Sequence, residues 1–159
     1  MANKKRSLTL WYCGAALFAL VAVIMMFVTN VKIVGAVTKE PHFVASGLQA
    51  TFGYAESGVS IFSFSFMNLI TYALLLAGLV LVCLKACGVA KSNLVDLVAL
   101  GLFVVGGVFF FLMPSFSVSE YAKGLGSLVS LQLGVGAILS AVFSFVSACL
   151  LCTKALLKK

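Results

Sequence analysis

The chain has 159 residues, of which 63% are hydrophobic and only 9% charged, and its mean hydropathy is +1.21. Soluble domains are roughly 45–50% apolar and about 25% charged, and a globule of this size has too little interior to hide the excess. These figures exclude a soluble enzyme, a disordered chain and a nucleic-acid binder, and leave an integral membrane protein.

The first residues are basic, with Lys4, Lys5 and Arg6. Residues 8–29 then run without a charge. At 1.5 Å per residue such a stretch makes a helix of about 33 Å, enough to cross a hydrocarbon core of roughly 30 Å. Asn30 and Lys32 end it. A secretory signal is the competing reading, with Lys4-Lys5-Arg6 as its basic end and Val34-Gly35-Ala36 as its small-residue site. Signal h-regions are about 7–15 residues long, so the length favours a retained span.

Residues 30–65 are the longest polar stretch and form a first outer loop. Val31-Lys32-Ile33-Val34 and residues 58–65 alternate apolar and polar side chains, the pattern of half-buried strands. The loop is expected to fold into a small sheet or hairpin on the membrane surface, with a short interfacial helix as the alternative. Residues 66–84 are the second span, 85–93 an inner turn, and 94–113 a third span stopped by Pro114. Residues 114–127 read as a polar outer hairpin with Glu120, Tyr121 and Lys123, and residues 128–152 as the fourth span. The expected fold class is all-α: an integral membrane four-helix bundle in a single membrane domain, residues 1–159.

Lysine and arginine in short loops set membrane orientation. With four spans, one side holds Lys4, Lys5, Arg6, Lys85, Lys91, Lys154, Lys158 and Lys159, and the other only Lys32, Lys39 and Lys123. This bias predicts that both termini are cytoplasmic. The net charge of +7 is thus read as topology signals and contacts for anionic lipid headgroups, with no nucleic-acid partner. Trp11 and Tyr12 fall where an inner aromatic belt belongs, Tyr121 and Phe116 where an outer one does.

The five cysteines, Cys13, Cys83, Cys87, Cys149 and Cys152, are odd in number and none lies in a polar loop, which argues against a disulfide framework. They read as small packing residues, with S-acylation in a eukaryotic host as the alternative. Cys149 and Cys152 have CxxC spacing, but at a helix C-terminal end the dipole disfavours the thiolate that redox chemistry needs.

Helices in lipid associate through close backbone contact and interhelical hydrogen bonds. Gln132, Gly136, Ser140, Ser144, Ala148 and Cys152 recur every four residues, and Gly136, Ser140, Ser144 and Ala148 make three consecutive small-xxx-small steps. This row predicts a packing seam inside the bundle, against Ala15 and Ala19 or against Ala73 and Ala77; an oligomer interface is the other option. Gly106-Gly107 marks a further close approach or slight bend.

Asp96 is the one acid near the hydrocarbon, and such a residue is a functional candidate by default. Its position three residues after Asn93 instead suggests a capping box with Asn93 as N-cap, paired with Lys91 or Lys85. His42 is the sole histidine, reads as a solvated loop residue, and cannot alone make a metal site. Asn68, Thr71 and Gln132 are neutral polar groups at the outer ends of the second and fourth spans. They suit interhelical hydrogen bonds, or the lining of an outer vestibule; the candidate ligand or ion contacts are therefore Asn68 and Gln132 at the outer end and, separately, Asp96 at the inner end. No catalytic residue, metal or cofactor is predicted.

The expected role is that of a structural, assembly or accessory protein whose partners are the bilayer and another membrane protein or a second copy. An oligomeric small transporter or channel subunit is the alternative, and a membrane enzyme is disfavoured by the lack of an acid/base cluster. The layout resembles tetraspan families such as claudins, with a larger first outer loop and cysteines after the second and fourth spans. The first loop lacks the Trp and Gly-Leu-Trp element and the two cysteines that claudins carry there, so the resemblance implies architecture and no function.

Overall fold

The computed structural model describes residues 2–90 and 92–157; Lys91, Lys158 and Lys159 lie outside them. The chain begins with α1 (Ala2–Ile24), a 3₁₀ turn (Met25–Phe27), β1 (Thr29–Gly35), β2 (Pro41–Ser46) and α2 (Gly47–Phe52). A hairpin of β3 (Tyr54–Glu56) and β4 (Val59–Phe62) leads into α3 (Phe66–Ala86) and α4 (Asn93–Phe111). Two short helices, α5 (Met113–Phe116) and α6 (Glu120–Leu125), then precede β5 (Val129–Leu133) and α7 (Val135–Leu157).

Helices α3, α4 and α7 contain stretches of 21, 19 and 20 residues, and α1 together with its 3₁₀ turn one of 19, that are long and apolar enough to cross a membrane. They form a ring in which α7 packs against α1 and α4, and α3 packs against α4 and α1. The inner faces are built largely from small side chains: Ala15, Ala19 and Ala22 of α1 and Ala137, Ala141 and Ala148 of α7 are buried. Large aliphatic groups such as Leu17, Leu20, Val80, Leu97 and Val98 point outward. A soluble bundle has the reverse pattern, with its apolar stripe turned inward. Phe103 and Phe110 fill the interior, and Gly107 makes room for the Phe145 ring.

A three-stranded antiparallel sheet of order β2-β1-β5 caps one end of the bundle. The central strand β1 pairs Val31 with Leu133 and Ile33 with Leu131 on one side, and Val31 with Ala45 and Ile33 with Phe43 on the other. It is almost wholly buried because neighbours cover both of its faces. β2 is a mostly exposed edge that starts at Pro41, a residue edges tolerate because it lacks a ladder donor. The β3–β4 hairpin turns through Ser57 and Gly58, both at positive φ (52° and 80°), the backbone that a tight two-residue hairpin requires. The segment between α4 and β5 is stapled to the one between α1 and α3. Ser65 Oγ donates to the Phe116 carbonyl (2.7 Å) and Ser119 Oγ to that of Ile61 (2.6 Å), while Phe43 and Tyr121 meet edge to face at 4.9 Å.

The all-α expectation is therefore corrected: among the described residues there are four long helices together with five strands. The expected first-loop β structure forms as two separate antiparallel pairs, β1–β2 and β3–β4, and a short helix, α2, forms beside them. Helix α2 is closed by a reciprocal cap in which Gln49 N donates to Ser46 Oγ and Ser46 N to Gln49 Oε1. The fourth helix begins at Val135 rather than at residue 128. Val129, Leu131 and Leu133 alternate with Ser130 and Gln132, and this period of two pairs as a strand before Gly134 breaks it. The first helix likewise ends at Ile24, and Thr29 already belongs to β1. The outer hairpin expected over residues 114–127 is replaced by the two short helices, with Pro114 in the first turn of α5, where its missing N–H costs nothing.

Candidate functional site

At the bundle end opposite the sheet, each long helix contributes one side chain to a single cluster. Tyr12 comes from α1, Lys85 from the last turn of α3, Asp96 from the first turn of α4 and Lys154 from the last turn of α7. The Tyr12 hydroxyl donates to the Asp96 carboxylate, 3.0 Å from each oxygen. Lys154 Nζ stands 2.6 Å from Asp96 Oδ2, also donates to the Tyr12 hydroxyl, and lies 4.3 Å from the centre of the Tyr12 ring. Lys85 Nζ is 3.4 Å from Asp96 Oδ1. The side chains of Lys154, Lys85 and Asp96 are only 4%, 7% and 13% exposed. Two ammonium groups thus share one carboxylate, and the cluster carries an excess positive charge.

This arrangement corrects the capping-box reading of Asp96. The N-cap of α4 is Ser92, whose Oγ accepts from Leu94 N at 3.2 Å, and Asn93 is the first helical residue. Asp96 turns into the bundle because two ammonium groups and a hydroxyl offer a carboxylate more than exposed backbone N–H groups do. The expected pairing with Lys85 is present; the one with Lys91 falls outside the described residues. Tyr12, read as a belt residue, is buried inside the cluster.

The packing row on α7 also divides. Ser140 Oγ donates to the Ala22 carbonyl of α1 (2.9 Å), whereas Ser144 Oγ donates to the Phe103 carbonyl of α4 (2.8 Å). A four-residue repeat drifts about 40° per step around a helix, so one row serves two neighbours. Gly136 and Ala148 are buried in it, but Cys152 is exposed and Gln132 lies outside the helix. Ala15 and Ala19 are buried as expected, whereas Ala73 and Ala77 are exposed. The stripe along α1 has a spacing of seven, Ser140, Ser147 and Lys154, with Ser147 Oγ donating to the Ala15 carbonyl at 3.0 Å.

Near the sheet, the neutral polar residues do not gather into a vestibule. Asn68 is buried, donating to the Ala50 carbonyl (2.9 Å) and Ser117 Oγ (3.0 Å), and so ties α3 to α2 and to the segment after α5. The Thr71 hydroxyl bonds to its own helix at the Met67 carbonyl. Gln132 is exposed on β5 opposite Lys32. The residue the sequence reading missed is Asn30. Fully buried, it accepts from the Tyr72 hydroxyl at 2.5 Å and donates to the carbonyls of Met25 (2.9 Å) and Val28 (2.7 Å). Gly136 leaves the space Asn30 occupies, for a Cβ there would collide with its side chain and with the Met25 and Thr29 carbonyls.

The five cysteines are free and exposed, and His42 is exposed on β2. Among the described residues no group of three His, Cys, Asp or Glu could hold a metal. A groove of 360 Å³ on the outward face of α7 is apolar apart from the Cys149 thiol and the Thr153 hydroxyl, which bonds to the Cys149 carbonyl; it contains none of the ionic cluster. Comparison of the chain with protein-family models, curated proteins and solved structures found no match.

Proposed function

We propose that the chain is a multi-pass membrane protein of the cell membrane, with α1, α3, α4 and α7 crossing the bilayer and both termini cytoplasmic, and that it acts as an assembly or accessory subunit. The outward-facing aliphatic surface of the long helices supports the first part, since water would not leave so large an apolar face uncovered. The position of Lys4, Lys5 and Arg6 at the start of α1 and of Lys85 and Lys154 at the same end, against Lys32, Lys39 and Lys123 around the sheet, supports the orientation.

The observation that carries the assembly role lies on the sheet end. Val37 in the β1–β2 turn is 88% exposed, Val44 on the edge strand β2 is 52% exposed, and Val59 on β4 is 53% exposed. Apolar groups on an open strand edge are a template for another chain. The partner that fits is the outer part of another membrane protein or of a second copy. The test substitutes Val37→Glu and Val44→Lys together and measures the mass of the gently extracted complex. The expected result is a bound partner in the wild type that the variant loses while its melting temperature is kept. A wild type that runs as a lone chain, or a variant that retains its partner, overturns the reading. Flux into liposomes that disappears in Asp96→Asn would replace it with the transport alternative.

A further inference from the structure

The two lysines of the ionic cluster are unequally paired. Asp96 Oδ2 receives Lys154 and Tyr12, and Oδ1 receives Tyr12 and Lys85. Lys154 has two close acceptors, the carboxylate and the phenol. Lys85 differs. Its one ion pair among the described residues is 3.4 Å long, whereas a charge-assisted N–H···O bond is about 2.7–2.9 Å. An ammonium has three donors, so at least two of those on Lys85 lack a protein acceptor in this set. The Lys85 side chain is only 7% exposed, so the ammonium is held in place rather than swinging in solvent. The charge is also unbalanced, because one carboxylate cannot neutralise two lysines. The first turn of α4, which carries Asp96, adds the positive end of a 19-residue helix beside the same ammonium.

We propose that Lys85 anchors a phosphate-binding site at this end of the bundle, in which a phosphate oxygen takes the open donors and supplies the missing negative charge. The phosphate is the headgroup of an anionic lipid or a free phosphate in solution; the chemistry at Lys85 is the same. Because the carboxylate of Asp96 is already filled by Lys154 and Tyr12, the incoming anion approaches the side of Lys85 turned away from it. The site is independent of the partner surface at the sheet end.

The test uses the full-length chain in a neutral detergent, with phosphatidylglycerol or phosphatidylcholine added and binding read as the rise in melting temperature with lipid concentration. The expected result is that the wild type prefers phosphatidylglycerol, that Lys85→Gln weakens this binding about fivefold, and that Lys85→Arg preserves it. Lys32→Gln, at the sheet end, leaves it unchanged. Lys85→Gln leaves the Asp96–Lys154 pair balanced and so keeps the fold, which its melting temperature without lipid verifies; if it does not fold, Lys85→Met is read in its place. Millimolar inorganic phosphate that reproduces the rise and displaces the lipid identifies the free ion as the source, and its failure to do so identifies the headgroup. Equal response to both lipids in the wild type with none to phosphate, or undiminished binding in both Lys85→Gln and Lys85→Met, overturns the proposal.

Discussion

The two ends of the helix bundle are closed by opposite chemistries. At the sheet end the contacts are short and neutral: Asn30 bridges the Met25 and Val28 carbonyls to Tyr72, and Asn68 bridges Ala50 to Ser117. At the other end they are ionic and come from long stems, Lys85 and Lys154 reaching one carboxylate. Short amides fix backbone positions and tolerate little change in shape. Long lysines tolerate changes of shape but not the loss of their counter-charge. The difference teaches that one end sets geometry and the other sets charge, so the same size of substitution should act differently at each.

The largest effect is expected from Gly136→Val. Its Cβ would meet two backbone carbonyls as well as Asn30, and these cannot withdraw without disturbing the 3₁₀ turn and the start of β1. The cost should reach about 3 kcal/mol or more, visible as loss of the cooperative thermal transition followed by circular dichroism in detergent. A variant that melts within a few degrees of the wild type would show that the sheet end yields. At the ionic end, Asp96→Ala changes little in volume but leaves two buried ammonium groups facing each other. Removing one partner of a buried pair typically costs about 3 kcal/mol; the 13% exposure of Asp96 lets water recover part of that, so a somewhat smaller drop is expected. The midpoint of thermal unfolding checks it, and Asp96→Glu should recover most of the loss. The smallest effect is expected from Ser144→Ala in the middle of the bundle, about 0.6 kcal/mol for one hydrogen bond to the Phe103 carbonyl. A drop as large as that of Asp96→Ala would mean that the middle, and not the ends, holds the helices in register.

The long helices were legible because a stretch of nineteen or more uncharged residues has few other uses. β1 and β4 were legible through their alternation. β5 was hidden because Val129–Leu133 is uncharged and abuts α7, so its period of two reads as the start of a span. Of the ionic cluster, Lys85 and Asp96 could be paired from sequence because they flank one short turn. Tyr12 and Lys154 could not, since they come from opposite ends of the chain and each has an ordinary local explanation, an aromatic belt and a basic tail. The spacing of seven from Ser140 through Ser147 to Lys154 was the available signal, because it places Lys154 on the same stripe as two buried serines. Asn30 gave no local sign at all: a polar residue after an apolar run reads as its end, and only the arrival of Tyr72 and Gly136 makes it a joint.

The pairing of β1 with β5 has a bearing on how the molecule is made. Val31 emerges from the ribosome about a hundred residues ahead of its neighbour Leu133. Until then one margin of β1 is a bare ladder of donors and acceptors, and α1 waits for α7 as well. Biogenesis is therefore gated by the arrival of β5 and α7, and a nascent chain stalled before that point offers its naked strand to whatever polypeptide is nearest.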